Sequence, residues 1–307
     1  MTQKIIKMDE PLNRICPICG ERKTQPFLQK GELHLARCVC CSMIYANPVP
    51  KEMATGIFYN DAGHEYLSPE KLESDYSDVR FERELHLFRT HCLRGSVLDV
   101  GCSSGAFLHQ LKKRYPNDYQ IWGTDVSSAP LDHAAKMGVP IIKGNFLTHT
   151  FEESFDAVTF WAVMEHLFEP ELFLKKAASI LKPDGLCFIL VPNMNSAAIK
   201  LLGAKYRYIF AEHLNYFTPE ALKKFIGREF TILDLKSTHF NPLVIWKDFR
   251  AGERAVPRAE RSKLLKRTTA YKKSRWLLPI KICYGVTERV LGKFLMADNL
   301  VIVGHKK

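Results

Sequence analysis

From Val97 to Val303, short apolar runs alternate with segments whose apolar residues recur every three or four positions. The pattern predicts strands at 96–100, 120–125, 139–143, 155–160, 185–191 and 230–237, and helices at 105–114, 128–137, 168–182 and 219–228. Asn299-Leu-Val-Ile-Val-Gly304 supplies a last strand. Ser127 and Ser128 can cap the second helix and Gly138 can end it. Strand–helix alternation of this kind implies an α/β fold, a mostly parallel sheet with helices on both faces. Residues 51–93 are polar, with helical spacing at Phe81, Leu85 and Phe88, and read as a helical connector. The predicted organisation is a small cysteine-bearing module at 1–50, the connector at 51–93, a core at 94–243, a basic helical insertion at 244–297 and the last core strand at 298–307.

The most informative stretch is Val97-Leu98-Asp99-Val100-Gly101-Cys102-Ser103-Ser104-Gly105. A buried strand ends in an acid, then two glycines four apart lead into a helix, the junction where α/β sheets hold nucleotides. Asp125 ends the next strand, 24 residues after Gly101, at a distance suited to accepting hydrogen bonds from both ribose hydroxyls. The turn is Gly-x-x-x-Gly, not the Gly-x-Gly-x-x-Gly of dinucleotide sites, and no Gly-Lys-Ser/Thr follows. Asp99-x-Gly-x-x-x-Gly, Asp125, Gly144-Asn145-Phe146, Phe155-Asp156-Ala157-Val158 and Leu181-Lys182-Pro183-Asp184-Gly185, in this order, resemble the class I S-adenosylmethionine (SAM) dependent methyltransferases. The resemblance covers roughly residues 80–243 and the last ten. It implies a Rossmann-like seven-stranded sheet and SAM as cofactor. By the same resemblance Gly101 and Gly105 let the backbone approach the methionine part, Asp99 helps hold its ammonium, Asp125 binds the ribose, and Asn145 and Phe146 flank the adenine. Trp161 joins this cofactor-binding set, and the connector packs over the pocket entrance. About sixty residues separate the last two strands, the main departure from the minimal fold.

At 307 residues and 46% hydrophobic content, the chain can hold one ordinary α/β domain with attachments. Residues 1–13 lack an apolar core of signal-peptide length and no run reaches membrane-spanning length, which predicts a soluble cytoplasmic protein. Cys16-Pro-Ile-Cys19 and Cys38-Val-Cys-Cys41 are two Cys-x-x-Cys knuckles 18 residues apart, the spacing of a structural zinc site. The two-residue spacer favours Cys41 over Cys40, and Ser42 stands where such knuckles carry glycine. With Met43 to Pro50, this ribbon resembles the N-terminal module of bacterial sugar and cell-envelope methyltransferases. The net charge is +11, and Lys247–Lys293 alone holds 14 Lys/Arg against 4 Asp/Glu, interleaved with aromatic and aliphatic residues. Such a segment suits an acidic partner: a nucleotide-sugar phosphate, a nucleic acid or the inner membrane surface, where Arg258 to Arg275 would lie with Trp276-Leu277-Leu278 dipping in.

Methyl transfer from a sulfonium is an in-line displacement, so catalysis is alignment, water exclusion and, for poor nucleophiles, proton removal. Phe160-Trp161-Ala162-Val163-Met164-Glu165-His166 follows the fourth strand and carries neither the Asn/Asp-Pro-Pro-Tyr/Phe nor the Pro-Cys pattern of nucleic-acid base methylation. Glu165-His166 is common in small-molecule members of the family. Ala211-Glu212-His213-Leu214-Asn215-Tyr216-Phe217-Thr218 resembles the Glu-His-x-x-Tyr-Phe segment of ribbon-bearing sugar C-methyltransferases, whose Glu-His pair is the catalytic base. The same string occurs in O-methyltransferase relatives with Tyr216 and Phe217 as walls and Thr218 as a helix cap. Candidate catalytic residues are therefore His213, Glu212 and His166. The sequence points to methylation of a small polar acceptor: a sugar, a nucleotide sugar or a lipid-linked glycan. Its alternatives are an RNA methyltransferase using the ribbon and basic insertion, and a SAM-binding scaffold without turnover.

Overall fold

The computed structural model describes residues 11–252, 258–273 and 278–307. Strands β1 (Thr24–Lys30), β2 (Leu33–Cys38) and β3 (Ile44–Ala46) form the amino-terminal meander. Helices α1 (Pro69–Asp75) and α2 (Glu82–His91) follow. Then come β4 (Gly95–Val100), α3 (Ala106–Arg114), β5 (Tyr119–Thr124), α4 (Ser128–Lys136), β6 (Phe155–Trp161), α5 (Pro170–Ile180) and β7 (Leu181–Pro192). After α6 (Ala197–Leu202) the chain makes the short strand β8 (Asn215–Tyr216), α7 (Pro219–Ile226) and β9 (Phe230–Thr238). Helices α8 (Pro242–Ala251), α9 (Arg258–Lys273) and α10 (Leu278–Lys293) precede β10 (Asn299–Lys306).

The main sheet has strand order β9-β10-β7-β6-β4-β5, with β10 antiparallel to both neighbours and the rest parallel. Successive side chains leave a strand on opposite faces. Val97 and Phe188 accordingly enter the core beneath α2 and α3, while Leu98 and Ile189 enter the core beneath α5 and α7. Both faces are covered, which is why these strands read as nearly continuous apolar runs.

The sheet has six strands rather than the predicted seven. The segment expected as a strand at 139–143 makes only an isolated parallel bridge, Gly123 to Ile141. Pro140 offers no donor, and the glycines on either side, Gly138 (φ +81°) and Gly144 (φ +113°), turn the chain away from the sheet edge. Helix α5 is also shorter than predicted. It starts with Pro170 in its first turn and stops at Ile180, because Pro183 drives Lys182 out of helical conformation and β7 begins at Leu181. Ser127 precedes α4 as predicted, but its side chain makes no cap hydrogen bond; Thr218 does cap α7, accepting from Ala221 N at 3.2 Å.

The connector lies against the glycine turn. Tyr76 Oη donates to Ser104 O at 2.5 Å, and Gln110 Nε2 donates to Asp75 O and Ser77 O. Helix α9 closes over α1 through Ser74–Thr269 (2.6 Å) and Lys266–Glu73 (2.6 Å). Arg275, Trp276 and Leu277, part of the expected membrane segment, lie outside the described residues. No helix among the described residues is long and apolar enough to cross a membrane.

Candidate active site

The carboxyl ends of β4, β5 and β6 define one edge of the sheet, and the predicted nucleoside residues gather there. Gly101 (φ +73°) and Gly105 (φ +76°) adopt the left-handed conformation that favours glycine. A Cβ on Gly101 would stand 2.5 Å from Val163 Cγ2, and one on Gly105 2.7 Å from Ala134 Cβ. Asp99 is buried on β4 and its Oδ1 accepts from Thr159 Oγ1 at 2.6 Å. Burial, and then the nearby Asp125, push its carboxyl up to about 7. Asp125 is held by two backbone donors, Ser103 N to Oδ2 and Ser127 N to Oδ1, both at 2.8 Å. Three buried polar atoms at this edge, Ser103 Oγ, Ser127 Oγ and Trp161 Nε1, have no partner among the described residues. A polar, glycine-cradled edge with unspent donors and acceptors fits a nucleoside with a cationic tail.

Two members of the predicted set sit differently from the rest. Asn145 is exposed, and its Oδ1 is occupied by Leu147 N at 2.9 Å. Phe146 turns its ring into the core, stacked on Phe173 at 5.5 Å between centroids, so contact with a ligand is left to its backbone. The Trp161 ring packs on Phe107 and Phe188.

Beyond the end of β6, Ala162 takes a left-handed φ of +58° and turns Glu165 and His166 toward the loop before β8. Asn215 clasps that turn, its Nδ2 donating to Met164 O (2.8 Å) and Leu167 O (2.7 Å), while Leu214 N donates to Glu165 O. His213 is buried and its Nδ1 lies 3.0 Å from Tyr208 O. A carbonyl can only accept, so Nδ1 carries the proton and Nε2 is the basic nitrogen. Burial, then His166 and Arg261, hold this imidazole well below the usual histidine range, in the neutral form. His166 Nδ1 likewise donates to Glu212 O at 2.9 Å, beside the Tyr59 hydroxyl at 3.0 Å. Glu165, His166 and His213 each offer a ligand atom within 4.8 Å of the others, close enough to share a cation, and His166 Nε2 lies 3.9 Å from Glu165 Oε1. Burial pushes the Glu165 carboxyl up to about 8. The rings of Phe210 (4.1 Å), His166 (4.8 Å), Tyr216 (6.2 Å) and Tyr208 (6.3 Å) surround His213, and the Arg261 guanidinium lies 4.1 Å over Phe210.

Of the predicted catalytic trio, His166 and His213 lie together, whereas Glu212 enters through its backbone carbonyl at His166, and Tyr208 O rather than a carboxylate orients His213. Three neighbours lay outside the predicted set: Glu165, Tyr59 and Asn215. Glu165 and Asn215 stood inside strings already singled out, whereas Tyr59 comes from a polar connector with no local signal.

Four cysteines gather at the amino-terminal module. Sγ atoms of Cys16, Cys19, Cys38 and Cys41 all lie within 4.8 Å of one another, with Cys16–Cys41 at 3.4 Å and Cys19–Cys38 at 3.5 Å. A tetrahedral zinc with Zn–S bonds of about 2.3 Å separates its sulfurs by about 3.8 Å, so the four side chains fit that ion. Cys40 is exposed and outside the cluster, and Ser42 (φ +64°) takes the glycine-like conformation of the knuckle. The strand leaving this module pairs with the site: β3 and β8 are antiparallel neighbours, with Tyr45 opposite Asn215 and Ile44 opposite Tyr216.

A family model described as a methyltransferase domain matches residues 71–228, just over half of the chain. A ubiquinone biosynthesis O-methyltransferase of Bradyrhizobium diazoefficiens is 32% identical over 164 residues, covering 48% of this chain and 62% of that protein. One of Pasteurella multocida is 27% identical over 179 residues, 48% of this chain and 70% of that protein. Among solved structures, a SAM-dependent methyltransferase from Thermotoga maritima, described as a possible histamine N-methyltransferase, has TM-score 0.52 at 18% identity, covering 82% of this chain and 99% of its own.

Proposed function

The chain belongs to the methyltransferase-domain family, a SAM-dependent enzyme class, and from that premise we propose that it methylates a ring hydroxyl of a small aromatic acceptor. The observation that carries this reading is the buried neutral imidazole of His213 inside a box of aromatic rings, with Nε2 as its basic nitrogen. Aromatic walls stack a ring and exclude water. Relatives named for O-methylation support oxygen as the atom methylated. The sugar, nucleotide-sugar or lipid-linked glycan acceptor expected from the ribbon finds no support in those relatives.

SAM would supply the methyl group. Gly101 and Gly105 would let the backbone approach its methionine part, Asp99 would help hold the ammonium, Asp125 would bind the ribose, and Trp161, Asn145 and the backbone of Phe146 would border the nucleoside. His213 Nε2 would take the hydroxyl proton of the acceptor, leaving its oxygen lone pair free for the methyl group. His166 and Glu165 adjoin the base. Cys16, Cys19, Cys38 and Cys41 would hold a structural zinc ion, which would act through the fold.

Labelled SAM offered with a catechol, a nucleotide sugar and RNA is expected to mark the catechol oxygen. Label confined to the sugar or to RNA would overturn the acceptor class. Asp99 gives a separate test. A cationic ligand favours its carboxylate, so binding must displace a proton below pH 7 but not above it. SAM affinity should tighten roughly tenfold between pH 6 and pH 8, by calorimetry, and Asp99→Asn should flatten the profile. The same raised carboxyl makes the ligand-free fold lose stability as pH rises from about 4 to about 7, so Asp99→Asn should melt higher at pH 8. A flat wild-type binding profile removes Asp99 from the ammonium site.

A further inference from the structure

Helix α8 is apolar on two sides. Inward, Val244 and Ile245 pack with Ala198, Leu202 and Tyr206 and Asp248 is buried, while Leu243 (48% exposed), Trp246 (50%) and Phe249 (64%) point to solvent at a spacing of three. A surface helix ordinarily buries the apolar side and wets the acid. Here the acid is tied in place. Arg207 donates to Asp248 through its backbone N (2.9 Å to Oδ2) and its Nε (2.9 Å to Oδ1). That pair fixes the rotation of the helix and commits Leu243, Trp246 and Phe249 outward. Leu201, at the end of the adjoining α6, is 70% exposed.

Basic groups frame these side chains. The Arg250 guanidinium lies 4.2 Å over the Trp246 ring, and Lys205 Nζ lies 5.9 Å from the centre of Phe249. Lys200 and Lys247 belong to the same two helices. Large apolar side chains ringed by ammonium and guanidinium groups match the boundary between acyl chains and acidic headgroups, where Trp in particular partitions. A second copy of the chain is a poorer match. Three or four side chains fall well short of the ~800 Å² per partner of a stable interface, and two copies would set like charges face to face.

We infer that the outward face of α8, through Leu243, Trp246 and Phe249 with Arg250 and Lys205 at its rim, docks the protein on an anionic lipid bilayer. This stands on the surface alone and is independent of the acceptor. The segment Arg207–His213 links the Asp248 anchor to the imidazole, so docking would bring the acceptor side close to the bilayer.

Sedimentation of the full chain with phosphatidylglycerol-containing vesicles tests it against vesicles of phosphatidylcholine alone. Binding is expected only to the anionic vesicles and should weaken with salt. Leu243→Ser/Trp246→Ser/Phe249→Ser should lose about tenfold in partitioning, and Lys247→Glu/Arg250→Glu a comparable amount. Brominated acyl chains should quench the wild-type tryptophan emission more than that of Trp246→Phe. Unchanged melting temperatures would show the variants folded, as the substituted side chains are largely outside the core. Any of four results overturns the inference: no binding to anionic vesicles at low salt, equal binding to both vesicles, unchanged binding of the apolar variant, or self-association that the apolar variant abolishes.

Discussion

His213→Asn is expected to lower turnover by about 10²–10⁴-fold, the range for loss of a positioned general base, with the SAM dissociation constant unchanged within about twofold. The asparagine amide can keep the donor to Tyr208 O that Nδ1 supplies, so the loop stays seated while the basic nitrogen disappears. The pH profile carries the sign. A base works deprotonated, so kcat/KM for the acceptor should rise from the acid side and level off. Burial, His166 and Arg261 all disfavour the imidazolium, which places that rise below the ordinary histidine value near 6.5. The variant should lose this limb. Turnover within a few-fold of wild type, or a wild-type limb centred above 6.5, would remove His213 as the base.

Losing the four-cysteine site should act at a distance from its own ligands. Cys38→Ser/Cys41→Ser is expected to drop bound zinc from one per chain to none, read by elemental analysis, and to lower the melting temperature by roughly 10 °C. The acceptor side should feel this more than the cofactor side. β3 leaves the knuckles and pairs with β8, and Ala46 N donates to Leu214 O, next to His213. Arg14, two residues before Cys16, lies 5.6 Å over Tyr45 and 4.9 Å over Phe168 and donates to Phe168 O, bridging the module to the chain after His166. The glycine turn between β4 and α3 is held by β5 and α4 and shares none of these contacts. The acceptor KM should therefore rise about tenfold or more while SAM binding holds. A zinc-free variant with wild-type acceptor kinetics would separate the module from the site.

Much of this was legible in the sequence because the signals were local. The strand–glycine turn–helix from Val97 to Arg114, Asp125 at the end of β5 and the Cys-x-x-Cys pairs each depend on residues close along the chain, where steric and hydrogen-bonding rules act directly. The aromatic string from Glu212 to Phe217 was visible too, and the structure seats His213 as a neutral imidazole within it. The predicted third strand failed where local and tertiary demands diverge: an apolar run suggests a strand, but Pro140 and two left-handed glycines leave room for one bridge.

What the sequence determined by itself is the alternating architecture, the nucleotide-type turn and the cysteine cluster, since period, turn chemistry and ligand spacing are properties of neighbouring residues. Only the tertiary structure decided that β3 would share a sheet with the loop carrying His213, that Tyr59 would reach His166 from the connector, and that Asp248 would turn inward to Arg207 while Trp246 and Phe249 face out. These depend on which groups meet across 41 to 172 positions of chain. Burial and charge pairing over such separations follow from the packing of the whole molecule, and no stretch of residues encodes them alone.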